Sequence, residues 1–114
     1  MIFIRIAKKY LTVDQLAVRE DLKKQLVLKG LTQKFYDDLL EDYMYMLVQK
    51  DKLQKDINEK GVRITTLNSK GLPIEKKNES YDLLLKYNQQ MIKLLEYLGI
   101  KPSENILGDE DDEL

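Results

Sequence analysis

Three groups of residues in this chain have types and spacings that could do chemistry. The first is acidic, the pairs Asp37–Asp38 and Glu41–Asp42. Neighbouring carboxylates on a helix point apart, but Asp38 and Asp42 share a face, where a divalent ion could in principle sit. A solvated helix face whose acids complement the positive end of the helix dipole is the stronger reading. The second group is basic. Arg5, Lys8, Lys9, Arg19, Lys23, Lys24 and Lys29 stand against only Asp14, Glu20 and Asp21 in the stretch from Met1 to Gly30. Arg19, Lys23 and Lys24 fall close together on a helix, and such a cluster can neutralise phosphates. A solubilising face is the plain alternative. Base stacking is not suggested, because Phe3 and Tyr10 are the only aromatic residues there. The third group is the run Asp109, Glu110, Asp111, Asp112 and Glu113, in a stretch from Ser103 to Leu114 without a single basic residue. It is either a solvated end or a peptide that docks on a basic surface.

The net charge of −1 conceals this asymmetry: the first 30 residues carry +4 and the last 12 carry −6. Several chemistries are absent. With no Cys and no His, the chain has no disulfide, thiolate nucleophile, Cys/His zinc site or imidazole base. The five glycines are scattered and form no phosphate loop, and no Ser has the setting of a nucleophile elbow. These absences point away from an enzyme, and no cofactor or metal is expected. "MIFIRIAKKYL" is too short an apolar run for a signal peptide, and no run approaches the ~18 residues of a membrane helix. The expectation is a cytoplasmic, soluble protein with no membrane partner.

The elements that position these residues read mainly as α. At 114 residues there is room for one modest core. Thr12 to Lys29 reads as a helix, with Thr12 and Gln15 at capping-box spacing, a stripe of Leu16, Val18, Leu22, Gln25, Leu26 and Leu28, and Gly30 as its stop. A long helix follows, with Thr32 as the expected cap and Gly61 at its close. Its seam of Leu39, Tyr43, Met46, Lys50, Leu53 and Ile57 has the 4-3 spacing of a helix packed on another helix. "GVRITTLNSKGLPIEKKNES" breaks the helical pattern. It reads as a short β-hairpin or loop over residues 62–76, turning at "NSKG", with Pro73 limiting the return strand to an edge. The last helix starts at Asn78 or Ser80 and ends at Gly99. It carries a seam of Tyr81, Leu84, Asn88, Met91, Leu95 and Leu98, and an adjoining face of Leu83, Tyr87, Leu94 and Tyr97.

The predicted fold is thus a long antiparallel helical hairpin with a short β excursion between its helices, preceded by an N-terminal helix. Residues 1–30 form the basic segment, 31–102 the hairpin and 103–114 an acidic tail read as disordered. Two long helices cover only one face of each other, so the surplus apolar surface predicts self-association. Tyr43, Met46, Leu53, Ile57, Leu84, Tyr87, Met91, Leu94, Leu95 and Leu98 are the residues expected to carry it. Asn88, polar within the seam, is a candidate for fixing register.

The order of features resembles the small subunit of a tailed-phage terminase, of the kind encoded by phages and prophages of Gram-positive bacteria. The residues that carry the resemblance are "FYDDLLEDYMYMLVQKDKLQKDINEKG", the turn "NSKG" with Gly71, the polar "KKNES" before the last helix, and Leu98-Gly99-Ile100 with Pro102. It spans about residues 20 to 102. The resemblance implies a non-enzymatic DNA-packaging protein that binds double-stranded viral DNA, assembles into a homo-oligomeric ring, and recruits and regulates the large ATPase–nuclease subunit. It further implies DNA contact at the basic N-terminal segment and large-subunit contact at the tail residues 109–113. Two departures stand out. Family members often have Asn-Pro where this chain has Asn78-Glu79, and basic residues near the end where this chain turns acidic. A rival from another class is a self-associating helical scaffold or regulator that binds only protein.

Overall fold

The computed structural model describes residues 8–100. A short 3-10 turn, Lys8–Tyr10, leads into three helices, α1 (Val13–Leu28), α2 (Lys34–Lys60) and α3 (Glu79–Leu98). Between α2 and α3 lie two strands, β1 (Arg63–Leu67) and β2 (Pro73–Lys77).

α1 begins where the sequence supplies a capping box. The Gln15 N–H donates to Thr12 Oγ1, and the Thr12 N–H donates to Gln15 Oε1, each at 3.0 Å. Inside the helix Gln15, Leu22 and Leu26 are buried, with Leu11 and Val18 packed beside the core. Leu28 does not join the expected stripe: it is 74% exposed, because Leu26 already takes the inward line and two residues further turn the side chain to the far side.

α2 runs for 27 residues, about 40 Å at the helical rise. Its N-cap is Gln33, which makes no side-chain capping bond, rather than the expected Thr32. The fully buried line is Leu39, Leu40, Met44 and Val48. The expected seam through Tyr43, Met46, Leu53 and Ile57 is only half-buried. The shift has a packing cause: α1 and α3 both lie on the first half of α2, so the best-covered line falls between the two partners. At the C-terminal end Gly61 takes φ 86° and ψ 173°, a conformation that only glycine adopts readily, and turns the chain into β1.

β1 and β2 pair antiparallel, with Arg63 opposite Lys77, Thr65 opposite Glu75 and Leu67 opposite Pro73. The turn is held by Asn68, whose N–H donates to the Leu72 carbonyl and whose Oδ1 accepts from the Lys70 and Leu72 N–H groups. Asn78 then caps α3, accepting from the Ser80 N–H at 3.0 Å, and Gly99 closes it at φ 73°.

α3 returns along α2, as the order of side-chain pairs shows. Asp56 meets Asn78 and Ser80 at one end, Lys50 meets Asn88 midway, and Leu39, Leu40 and Met44 share a cluster with Leu98 and Ile100 at the other. Leu22 and Leu26 of α1 complete that cluster, so the core sits at the end of the molecule where three helices overlap. Leu26, Leu40 and Met44 are only 1% exposed, each contributing about 1.5–3 kcal/mol by burial.

Candidate nucleic-acid interface

The basic N-terminal segment divides once it is folded. Arg19 Nη2 donates to Glu41 Oε2 at 2.6 Å, with the two side chains only 17% and 14% exposed. Lys23 Nζ donates to Asp37 Oδ1, also at 2.6 Å. Together with the 2.7 Å bond from Gln15 Nε2 to Asp51 Oδ2, these pairs stitch α1 to α2. Lys29 has a different setting: its ammonium lies over Gly99, where an added β-carbon would meet Nζ at 3.8 Å. A cation there complements the negative end of the α3 dipole. Lys9 and Lys24 point into solvent, Lys9 with its ammonium 5.2 Å from the centre of the Tyr10 ring. Arg5, the side chain of Lys8 and the acidic run 109–113 lie outside the described residues. Among the described members of the expected DNA contact, Arg19 and Lys23 are therefore engaged with α2, while Lys9 and Lys24 stay exposed. The reason was not visible in the sequence, because Glu41 and Asp37 sit on another helix.

The acids of α2 are also engaged. Asp38 accepts from Lys34 at 3.0 Å, and Asp42 has partners of its own. Among the described residues no group of three or more acidic side chains converges in a way that would hold a metal ion.

The residues expected to mediate self-association divide as well. Met91 and Leu98 are buried within the chain itself, and Tyr43, Leu94 and Leu95 pack against its core. Burial pushes the Tyr43 phenol above its ordinary 10.0. Met46 and Tyr87 instead line an open, mostly apolar groove of about 180 Å³ with Leu83, Lys86 and Gln90. Leu85 and Ile92 are also exposed on α3. Both fall outside the two apolar stripes of that helix, so sequence periodicity gave them no role. Asn88 is fixed inside the hairpin, where Oδ1 accepts from Lys50 Nζ at 2.9 Å.

At the other end of the hairpin is a polar knot that the sequence did not announce. Asp56 Oδ2 accepts from Ser80 Oγ at 2.8 Å and Asn78 Nδ2 at 3.1 Å, and Lys60 sits 3.0 Å from Oδ1. Asn78 Nδ2 also donates to the Gly61 carbonyl at 2.9 Å. The bond from Ser80 and those from Lys60 and Asn78 hold the Asp56 carboxyl down at about 2. This knot fixes the root of the β-hairpin to both long helices.

No helix among the described residues is long and apolar enough to cross a membrane. No curated protein and no solved structure matches the chain. A protein-family model does: the model for the phage terminase small subunit matches residues 16–105, which takes in all three helices but the first turn of α1. The chain, mainly helical with one small antiparallel ribbon, belongs to the phage terminase small-subunit family, whose role is in phage DNA packaging.

Proposed function

We propose that this protein is the non-catalytic DNA-recognition subunit of its packaging machine: it binds double-stranded viral DNA, self-associates into a ring and brings the large ATPase–nuclease subunit to the DNA. The family match over residues 16–105 is the observation that carries this reading. The basic N-terminal segment supplies the DNA contact, with Arg5, Lys8, Lys9, Lys24 and Lys29 as the phosphate ligands. Arg19 and Lys23, held by Glu41 and Asp37, act mainly by setting the orientation of α1. Self-association uses the outward face of the hairpin around Met46, Leu83 and Tyr87, supported by the apolar groove there. The acidic run 109–113 contacts the large subunit.

The test is duplex binding by the full chain across a salt series. Phosphate contacts release counterions, so affinity should fall steeply between low and moderate salt. Replacing Lys24 and Lys29 by Ala should flatten that slope by about 0.9 for each phosphate no longer neutralised. No detectable binding at low salt would sink the proposal.

A second reading, a self-associating scaffold that binds only protein, is favoured by one observation. Two of the central basic side chains, Arg19 and Lys23, are engaged in ion pairs within the chain. The same salt series decides between the two.

A further inference from the structure

The β-hairpin contributes no residue to the hydrophobic core. Every residue of β2 is exposed, and among the described residues nothing pairs with the outer edge of either strand. Two-stranded ribbons are marginal alone, so this one persists because its root is clamped. The Asn78 N–H donates to the Val62 carbonyl at 2.6 Å, and its side chain reaches Gly61 and Asp56.

Its charge is one-sided. From Gly61 to Lys77 there are four cations, Arg63, Lys70, Lys76 and Lys77, against the single carboxylate of Glu75. Residues opposite one another in an antiparallel pair share a face. One face carries Ile64 and Lys76, which line a hollow with Asp56, Lys60, Ser80 and Leu83 and so turn towards the helices. The other face carries Arg63, Thr65 and Leu67 beside Lys77, Glu75 and Pro73, all exposed. Arg63 and Lys77 therefore stand side by side at the root, and Lys70 stands at the turn.

We propose that this outer face is a second nucleic-acid contact, with the ribbon lying in a groove of duplex DNA. A five-residue strand spans about 17 Å. The major groove is about 12 Å wide and admits a two-stranded ribbon. Cations at the root and at the turn thus meet the phosphates on the two sides of the groove, while Thr65 and Glu75 between them face the base edges. Arg63 already holds Glu75 at 3.0 Å and Lys77 holds Asp82 at 3.4 Å, but all four side chains are more than half exposed. Such pairs are weak, and phosphates replace their carboxylates at little cost. The surplus of cations favours DNA over a protein partner for this face.

The inference rests on the DNA-binding reading above, and the experiment separates the two. The full-length chain and its Arg63→Ala/Lys70→Ala/Lys77→Ala variant are titrated with a mixed-sequence duplex over a salt series, and the mass of each is measured in solution. The expected result is binding weakened about tenfold or more, and a plot of log affinity against log salt shallower by roughly 2–3. Helix content, melting and mass should stay unchanged, since the three side chains are exposed, and Lys70→Arg/Lys77→Arg should keep the binding. A triple variant that binds like the parent overturns the ribbon contact and leaves the N-terminal contact standing. A change in mass without a change in DNA affinity assigns the face to a protein partner and also overturns it. A parent chain that binds no duplex at low salt overturns the DNA-binding reading and the ribbon contact together.

Discussion

The Asp56 carboxyl, ordinarily near 3.8, is held at about 2 by Ser80, Lys60 and Asn78. A depressed carboxyl stabilises the fold above its unfolded value and loses that contribution as pH falls towards its folded value. Thermal melting should therefore show a component lost between pH about 4 and about 2, and Asp56→Asn should remove it while lowering the melting temperature at neutral pH. Asn78→Ala removes the α3 cap and two of the knot's bonds, and should cost about 1–2 kcal/mol in denaturant titrations. Arg19 and Lys24 make a contrasting pair on one helix. Arg19→Ala leaves Glu41 without its cation in a largely covered site and should destabilise the fold by about 1–3 kcal/mol. Lys24→Ala should leave stability within about 0.5 kcal/mol and act on DNA affinity instead, measured by salt-dependent binding.

At the scale of elements, the three helices are not equally secured. The first half of α2 is gripped from two sides by Leu22 and Leu26 of α1 and by Leu98 and Ile100 at the end of α3. Met44 lies at the centre of that grip, and Met44→Ala should cost about 2–5 kcal/mol, read from chemical denaturation. Beyond Val48, α2 has no buried residue and is held to α3 by polar bonds from Lys50 and Asp56. Amide exchange should accordingly be slower around Leu40–Met44 than around Leu53–Ile57. Gly61 joins this weaker half to the ribbon. Gly61→Ala forces an alanine into a region reserved for glycine and should cost about 1–3 kcal/mol.

Across the molecule, the distribution of apolar surface matters most. The core closes one end, while the face with Met46, Leu83 and Tyr87 is left open on the hairpin, with Leu85 and Ile92 exposed elsewhere on α3. An assembly built on that face should be visible as a mass several times that of the 13.5 kDa chain in sedimentation. Leu83→Glu should reduce it towards the monomer without lowering the melting of the monomer itself, because Leu83 is exposed. A monomer at high concentration for the unmodified chain would sink the ring.

Local signals in the chain were enough to set the elements and most of their ends, the start of α2 at Gln33 rather than Thr32 being the exception. Thr12 with Gln15, Asn78 before α3, and the glycines at 61, 71 and 99 act over three or four residues, and the fold uses each of them in place. The family, too, was legible in the order of those elements. Pairing across helices was not legible, because it depends on which faces meet. Packing in three dimensions assigned Arg19 and Lys23 to Glu41 and Asp37, buried Met91 and Leu98, and left Leu83 outside. A heptad count gives the spacing of a seam but not its rotation about the helix axis, and on α2 that rotation was set by two neighbours at once.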